Sequence, residues 1–324
     1  MQRPYSPSPR SPVRGFWLAL VTALCWGLLP LAMALLVREL SPWTITWWRL
    51  AGSALLLVAW LGLRGQWPRL AGNPQLRWGW LLFATVGLVG NYVSYSGSLQ
   101  HITPSVAQTV IQLSPMLLLL AGLRLFGERF SRGQWAGFAI LLAGLLLFFN
   151  RRLAELATFR GELATGVGLL MLSSILWAGY GVAQKKLLGG LTPLQVLLLL
   201  FLGGSALLLP MAEPLQVLEA DRLGVALLLF GVANTMIGYG AFAEAMAVWE
   251  VSRVSAVVSL APVVTLGSMA LVNHWQPGLL PAEALNGASL LGALAVVSGS
   301  VTCALSAAPP ASAPPPPSSP PTTR

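Results

Sequence analysis

The sequence predicts an all-α membrane protein with ten transmembrane helices arranged as two inverted five-helix repeats. Three observations carry that prediction. The 324 residues are 56% hydrophobic and only 9% charged, with a mean hydropathy of +0.72, whereas soluble domains carry about 25% charged residues. Ten stretches reach the roughly 20 mostly apolar residues that a spanning helix needs. Landmarks of the first half also recur in the second, in the same order and at the same spacing.

Composition also sets exclusions. The net charge of +9 does not indicate nucleic acid, because the basic residues stand scattered between apolar runs, where they orient helices in a membrane. The two cysteines, Cys25 and Cys303, both lie in apolar segments, so neither a disulfide nor a metal cluster is expected. There is no glycine-rich phosphate loop, His-Glu-x-x-His, cysteine pair or nucleophile elbow. We therefore expect no enzyme, no cofactor and no drive by nucleotide hydrolysis. No aspartate lies within a helix core, so a tight sodium site is not indicated.

Taken in order, residues 1–14 are rich in Pro, Ser and Arg and read as a disordered cytoplasmic N-terminus, followed by a retained helix rather than a cleaved signal. The spans fall at roughly 15–37, 43–63, 77–99, 104–126, 132–150, 164–186, 193–211, 222–247, 252–273 and 286–306. Residues 151–162 form a longer outer linker able to lie on the membrane surface. The tail, residues 307–324, is nearly all Pro, Ala and Ser and is expected to be disordered and cytoplasmic. With the N-terminus inside, the inner loops collect Arg14, Arg64, Arg77, Arg132, Lys185, Lys186 and Arg253, among others. The outer loops hold most of the acids, including Glu39, Glu155, Glu162, Glu213 and Asp221. That bias places both termini in the cytoplasm of a plasma or bacterial inner membrane.

The repeat divides the chain into residues 15–150 and 163–306. Trp26 to Pro42 matches Trp177 to Pro193, and Ser105 through Ser114-Pro115 matches Ser252 through Ala261-Pro262. Gly137 and Gly144 match Gly292 and Gly299, seven apart in both, as small residues packing on one helix face would be. Glu128 precedes Gly137 by the same interval as Glu283 precedes Gly292. Five helices per repeat is an odd number, so the second half must enter the membrane in the opposite sense, a frequent signature of secondary transporters.

The first repeat carries Ser114-Pro115, Gly127-Glu128-Arg129, Gln134, Gly137 and Gly144, with Trp26-Gly27 and Trp48-Arg49 upstream. In these residues it resembles the EamA family of the drug/metabolite transporter superfamily, over roughly residues 15 to 306. The second repeat departs where the Gly-Glu pair becomes Ala282-Glu283 after extra residues near His274 to Gly278. The resemblance implies a central substrate cavity walled chiefly by the third, fourth, eighth and ninth spans. It also implies export or exchange of amino acids, nucleosides, sugars or other small metabolites.

The polar anomaly of the chain runs from Gly90 to Pro115. Amides and hydroxyls in hydrocarbon are costly unless they face protein or a wet cavity. Asn91, Tyr92, Tyr95, Gln108, Thr109 and Gln112 are the candidate lining of the third and fourth spans. Asn234, Tyr239, Ser255 and Ser259 are the candidates on the eighth and ninth, with Tyr239 matching Tyr92, Ser255 matching Gln108 and Ser259 matching Gln112. The competing reading is interhelical hydrogen bonding, at about 0.6 kcal/mol per contact.

Arg49, beside Trp43, Trp47 and Trp48, either snorkels to the outer surface or fixes a charge for an anionic substrate; the resemblance places an Arg there often. Glu244 either carries a coupling proton or pairs with Arg253, Lys185 or Lys186 at the cytoplasmic boundary. Pro115 and Pro262 read as mid-helix hinges and Glu128 as a turn or inner gate. His101 reads as a solvated loop residue.

The expected partners are a small-molecule substrate and membrane lipid. The expected activity is secondary transport, by export or exchange, of a small polar or zwitterionic metabolite. A passive solute channel and a non-transporting scaffold or sensor are the rivals.

Overall fold

The computed structural model describes residues 11–68, 70, 77–125, 131–187, 191–249, 251–280 and 285–306. Glu128, residues 1–10 and the tail 307–324 lie outside the described residues. Thirteen α-helices and one 3-10 turn account for nearly all the rest, and no strand occurs among the described residues. The helices are α1 (Pro12–Leu36), α2 (Pro42–Leu63), α3 (Trp78–Ser98), α4 (Pro104–Val110), α5 (Leu113–Leu125), α6 (Arg132–Phe148), α7 (Leu153–Ala157), α8 (Gly161–Leu187), α9 (Pro193–Leu208), α10 (Arg222–Val248), α11 (Val251–Val258), α12 (Ala261–Trp275) and α13 (Gly287–Leu305). The 3-10 turn covers Pro214–Leu218.

Helix starts are written locally. Ser41, Thr103, Thr192, Ser131, Asp221 and Asn286 each accept a backbone N–H of the first turn through their side chains. Three of them are followed by a proline, whose missing N–H is harmless in that first turn. Ser131–Gln134 and Thr192–Gln195 complete capping boxes. The first helix begins at Pro12, earlier than the predicted residue 15. Its start is held because the Ser11 N–H donates to the Val248 carbonyl at 3.1 Å and Arg14 pairs with Glu244 at 3.0 Å.

Six stretches are long and apolar enough to cross a membrane: Pro12–Leu36, Pro42–Leu63, Gly161–Gln184, Arg222–Ala245, Arg253–Trp275 and Gly287–Leu305. Arg132–Phe148 and Pro193–Leu208 are shorter apolar helices. The remaining two predicted spans differ for visible reasons. The last two turns of α3 are occupied by Asn91, Tyr92, Ser94, Tyr95, Ser96 and Ser98, and the next predicted span is interrupted at Ile111-Gln112 between α4 and α5.

That interruption has a counterpart at Ser259-Leu260, between α11 and α12. The prolines expected in mid-helix therefore sit in the first turn after a break, Pro115 in α5 and Pro262 in α12. Proline cannot donate to the carbonyl four residues earlier and its ring clashes with it, so the helix stops and restarts. At the first break the Ile111 carbonyl is taken instead by the Ser114 N–H at 2.9 Å.

Packing is by antiparallel helix pairs. Between α6 and α13, a Cβ on Gly137 would meet Cys303 N at 2.5 Å and Gly299 O at 2.7 Å. One on Gly144 would meet Val296 N at 2.7 Å and Gly292 O at 2.9 Å. Rising numbers on one helix meet falling numbers on the other, so the pair is antiparallel and in backbone contact. Where lipid tails are as apolar as leucine, such close approach by small residues is a main source of association. The same sense holds between α3 and α8, where Asn91 bonds Ser173 and Gly166 lies against His101 and Ile102. It holds again between α1 and α10, where Thr22 bonds the Gly238 carbonyl and Met33 lies against Gly231. By contrast α1 and α12 run in parallel: Gly27 lies against Val264, and Leu31 and Ala34 pack with Met269. Two large apolar clusters result, one around α1, α4, α6 and α13 and one around α2, α3, α8 and α9.

Asn91 is 94% buried on the α3–α8 seam. Its Nδ2 donates to the Ser173 Oγ at 2.7 Å and carbonyl at 3.0 Å, and Ser173 Oγ donates back to the Asn91 carbonyl at 3.1 Å. A double-mutant cycle on Asn91→Ala and Ser173→Ala is expected to give a coupling of about 0.6 kcal/mol and no more than about 1.7 kcal/mol. Thermal unfolding in detergent measures it, and additive single effects would show that the pair contributes nothing.

Candidate functional site

The breaks in the two interrupted helices meet in the middle of the bundle. Gln112 Nε2, in the first break, donates to the carbonyl of Ser259, in the second, at 2.9 Å. The two residues are 147 apart in sequence, the same interval that separates Pro115 from Pro262. Above Gln112 on α4, Gln108 Oε1 accepts from the Tyr95 hydroxyl at 3.1 Å. Both glutamines are more than nine-tenths buried. Thr109 turns its hydroxyl back to the Ser105 carbonyl, and Ser259 does the same to Ser255, so these two hydroxyls are satisfied within their own helices.

Arg49 departs from the snorkelling expectation. It is 3% exposed, and its guanidinium turns inward. Its Nε donates to Thr235 Oγ1 of α10 at 3.2 Å, and its guanidinium carbon stands 4.5 Å from the centroid of the Tyr92 ring, a cation–π contact. Its nearest further polar contact is the Met33 sulfur at 3.9 Å. Among the described residues no carboxylate stands within salt-bridge distance of Arg49. The physical reason for burial is that α10 packs on this face of α2, with Gly231 and Thr235 against the arginine and Met33 of α1 beside it, two turns inside the helix.

From Arg49 an aromatic ladder crosses the bundle. The Tyr92 ring lies 6.3 Å from that of Tyr239, Tyr239 lies 5.4 Å from Trp26, and Trp26 lies 5.4 Å from Phe242. The Tyr92 hydroxyl is buried near that of Tyr239 but without hydrogen-bond geometry to any partner. Asn234 donates through Nδ2 to the Cys25 carbonyl at 2.7 Å, while its buried Oδ1 has no partner. The aromatic ladder thus starts from a buried cation with no carboxylate beside it, and the unpartnered amide oxygen lies on the α1–α10 seam.

Comparison with known proteins fits this architecture. The model of the EamA-like transporter family matches residues 13–150 and again residues 164–305. The chain belongs to the EamA-like transporter family. An uncharacterized transporter of Haemophilus influenzae is 37% identical over 296 residues, covering 91% of this chain and 96% of that protein. The uncharacterized inner membrane transporter YhbE of Escherichia coli is 37% identical over 292 residues, covering 90% and 91%. A protein of Escherichia coli named "Probable amino-acid metabolite efflux pump" is 24% identical over 298 residues, covering 87% and 92%. A solved crystal structure, 20% identical, shares the fold with a TM-score of 0.62 and covers 91% of this chain and 98% of its own.

In this EamA-like chain the sequence candidates fall into two groups. Arg49, Tyr92 and Tyr239 are joined by ring contacts, Tyr95 with Gln108 and Gln112 with Ser259 by hydrogen bonds, and Asn234 bonds the Cys25 carbonyl of α1. Asn91 serves the α3–α8 seam, Thr109 bonds its own helix, and Ser255 is half-buried and accepts the Ser259 hydroxyl. Trp26, Met33 and Thr235 join the centre although they were not singled out as lining. Trp26 was legible only as a repeat landmark, and Thr235 as the neighbour of Asn234.

Glu244 lies away from the centre, with a side chain 54% exposed. It pairs with Arg14 at 3.0 Å. That pair ties the start of α1 to the end of α10, a contact between distant segments that no local pattern encodes. Glu244→Gln is expected to leave the melting temperature unchanged, because exposed pairs contribute little; a loss of several degrees would assign it a structural role. At the opposite end, His101 pairs with Glu162 across the α3–α8 seam rather than standing free. Two cavities also open at that end: one of about 30 Å³ beside Ser289, Arg151 and Arg152, and one of about 320 Å³ beside Arg38 and Gln100.

Proposed function

We propose that the protein is a secondary transporter that moves a small zwitterionic or carboxylate-bearing metabolite, such as an amino acid, by alternating access. The observation that carries this reading is Arg49, buried in the bundle without a counter-charge. Taking a cation out of water without pairing costs several kcal/mol, and buried intramembrane charges mark substrate or ion pathways. A guanidinium fork suits a carboxylate, which would supply the missing partner.

The framework of this reading is ten spans in two inverted five-helix repeats, with α4–α5 and α11–α12 each counted as one broken span. Its support is the symmetry of the contacts. The α6–α13 glycines pair as equivalents of one another in antiparallel sense. The Asn91–Ser173 contact of α3–α8 has its counterpart in Thr22–Gly238 of α1–α10, at the repeat-equivalent positions. Gln112 and Ser259, also equivalents, touch each other, as residues on a pseudo-twofold axis must. Rocking about the breaks before Pro115 and Pro262 would expose the centre first to one side, then to the other.

Both termini are assigned to the cytoplasm, in a plasma or inner membrane, from the distribution of basic residues. The efflux name of one relative agrees with export.

The test is counter-flow in proteoliposomes. Saturable uptake of a labelled amino acid, stimulated by unlabelled amino acid inside, is expected, with at least about a tenfold loss in Gln112→Ala. That loss corresponds to about 1.4 kcal/mol. Non-saturating flux without counter-flow stimulation would replace the carrier by a passive channel.

A further inference from the structure

The two halves are matched in backbone but not in chemistry, and the mismatch is systematic at the centre. Apart from Tyr92, which answers to Tyr239, the polar residues around Arg49 have less polar or smaller equivalents in the second repeat. Gln108 answers to Ser255 and Gln112 to Ser259. Continuing the same two registers, Arg49 answers to Leu200, as Ser41-Pro42 answers to Thr192-Pro193, and Tyr95 answers to Phe242, as Tyr92 answers to Tyr239.

The structure turns this list into two walls. Arg49, Tyr95 and Gln108 form a polar wall from α2, α3 and α4, linked by the Tyr92 cation–π contact and the Tyr95–Gln108 hydrogen bond. Leu200 is fully buried in an apolar cluster that also holds Phe201 and Tyr92 and against which Tyr239 packs. Phe201 and Trp26 both meet the Tyr239 ring, and Trp26 meets Phe242. Ser255 and Ser259 are shorter than the glutamines they answer to, so on this side the wall has less side chain to fill it. A site symmetric in chemistry would suit a substrate polar at both ends. This one places charge at one end and aromatic and aliphatic carbon at the other.

We infer that the substrate is an amphipathic carboxylate, with its anionic head on Arg49 and an apolar body against the Leu200–Phe242 wall. The inference rests on the carrier reading above and adds the substrate's shape to it. The first half supplies the head contact, and the second half selects the body. Hydrophilic dicarboxylates and sugars are disfavoured, because their second polar end would face Leu200 and Phe242 with no partner, and an unmet buried polar group is costly. Compact carboxylates such as glycine gain the head contact but lose the body. Burial of apolar surface drives association, so a phenyl or isobutyl group is a large share of the binding.

The experiment uses the full chain in proteoliposomes and measures inhibition of counter-flow by four probes, L-phenylalanine, L-leucine, L-phenylalaninamide and glycine, with L-glutamine as the polar comparison. Thermal stabilisation in detergent is read alongside. L-Phenylalanine and L-leucine are expected to compete and to stabilise. The amide, lacking the carboxylate, and glycine, lacking the body, are expected to be at least about tenfold weaker. In Leu200→Gln the preference for L-phenylalanine over L-glutamine is expected to narrow by at least about tenfold, and in Arg49→Gln the preference for L-phenylalanine over its amide is expected to vanish.

Glycine competing as well as L-phenylalanine, an undiminished amide, or unchanged preferences in Leu200→Gln would each overturn the inference. Saturable counter-flow of a compact or doubly polar metabolite alone would leave the carrier standing and remove the amphipathic substrate. Absence of counter-flow with all four probes, together with no stabilisation by any, would overturn the inference; non-saturating flux would remove the carrier reading as well.

Discussion

Gly292→Leu is expected to prevent the bundle from assembling, with a loss of more than about 3 kcal/mol, at or beyond the upper end of ordinary overpacking. The added Cβ alone would stand 2.3 Å from Phe148 N and 2.7 Å from Gly144 O. Both are backbone atoms of a facing helix, so no rotamer change relieves the clash; α6 and α13 must separate. Separation removes the reciprocal contacts at Gly137, Gly144 and Gly299 together, because these glycines form one seam. It also strains the Ser131 hydroxyl bond to the Ser306 carbonyl at one end and the paired amides of Asn150 and Asn286 at the other. Gly168→Ala and Gly267→Ala are the matched controls, since nothing lies within 4 Å of an added Cβ at either position. They are expected to fold normally. Size-exclusion profiles and thermal melts in detergent check both, and a Gly292→Leu variant melting within a few degrees of the parent would show that this seam is not what holds the halves together.

Arg49→Met is expected to separate function from stability. Transport should fall by at least about a hundredfold, while the melting temperature stays level or rises. The sign follows from burial without a counter-charge. Replacing buried ionic groups by well-packed apolar residues is often neutral or stabilising by about 1–4 kcal/mol. The repeat equivalent, Leu200, shows that the fold accepts an apolar side chain at this place. The Thr235 hydroxyl loses little, since it also donates to the Gly231 carbonyl at 2.8 Å. Arg49→Lys keeps the charge but not the fork or the flat face over Tyr92, and should recover only part of the activity. Paired melts and counter-flow decide the matter. A variant that loses stability and transport in proportion would make Arg49 a structural residue and leave the substrate to other groups.

Much of the architecture was legible in the residues. Capping side chains and prolines mark helix starts at Ser41, Thr103, Ser131 and Thr192, and the glycines seven apart predict a tight seam on one face of α6 and α13. What they could not state is which seam. Glycine spacing gives a face, and only packing shows that Gly137 meets Gly299 rather than another copy or lipid. The polar run from Asn91 to Gln112 was similarly visible as an anomaly, but its members divide by direction. Asn91 and Gln108 both read as costly amides, yet one turns to Ser173 on a neighbouring helix and the other to Tyr95 at the centre. A rotation of a fraction of a turn separates those fates, and helix rotation is set by the neighbours.

Arg49 shows the limit most plainly. Its sequence surroundings, three tryptophans near a helix start, are those of an interfacial anchor, and the inward turn follows from the cover that α10 provides, with Met33 beside it. The family of the chain, its helical character and its repeat were fixed by short-range patterns of apolarity, capping and spacing, which each segment carries within itself. The identity of the site was decided by contacts between residues far apart in the chain, such as Arg49 with Thr235 and Gln112 with Ser259. Those contacts exist only once the helices have packed, because burial and counter-charge are properties of the assembled bundle and not of any segment.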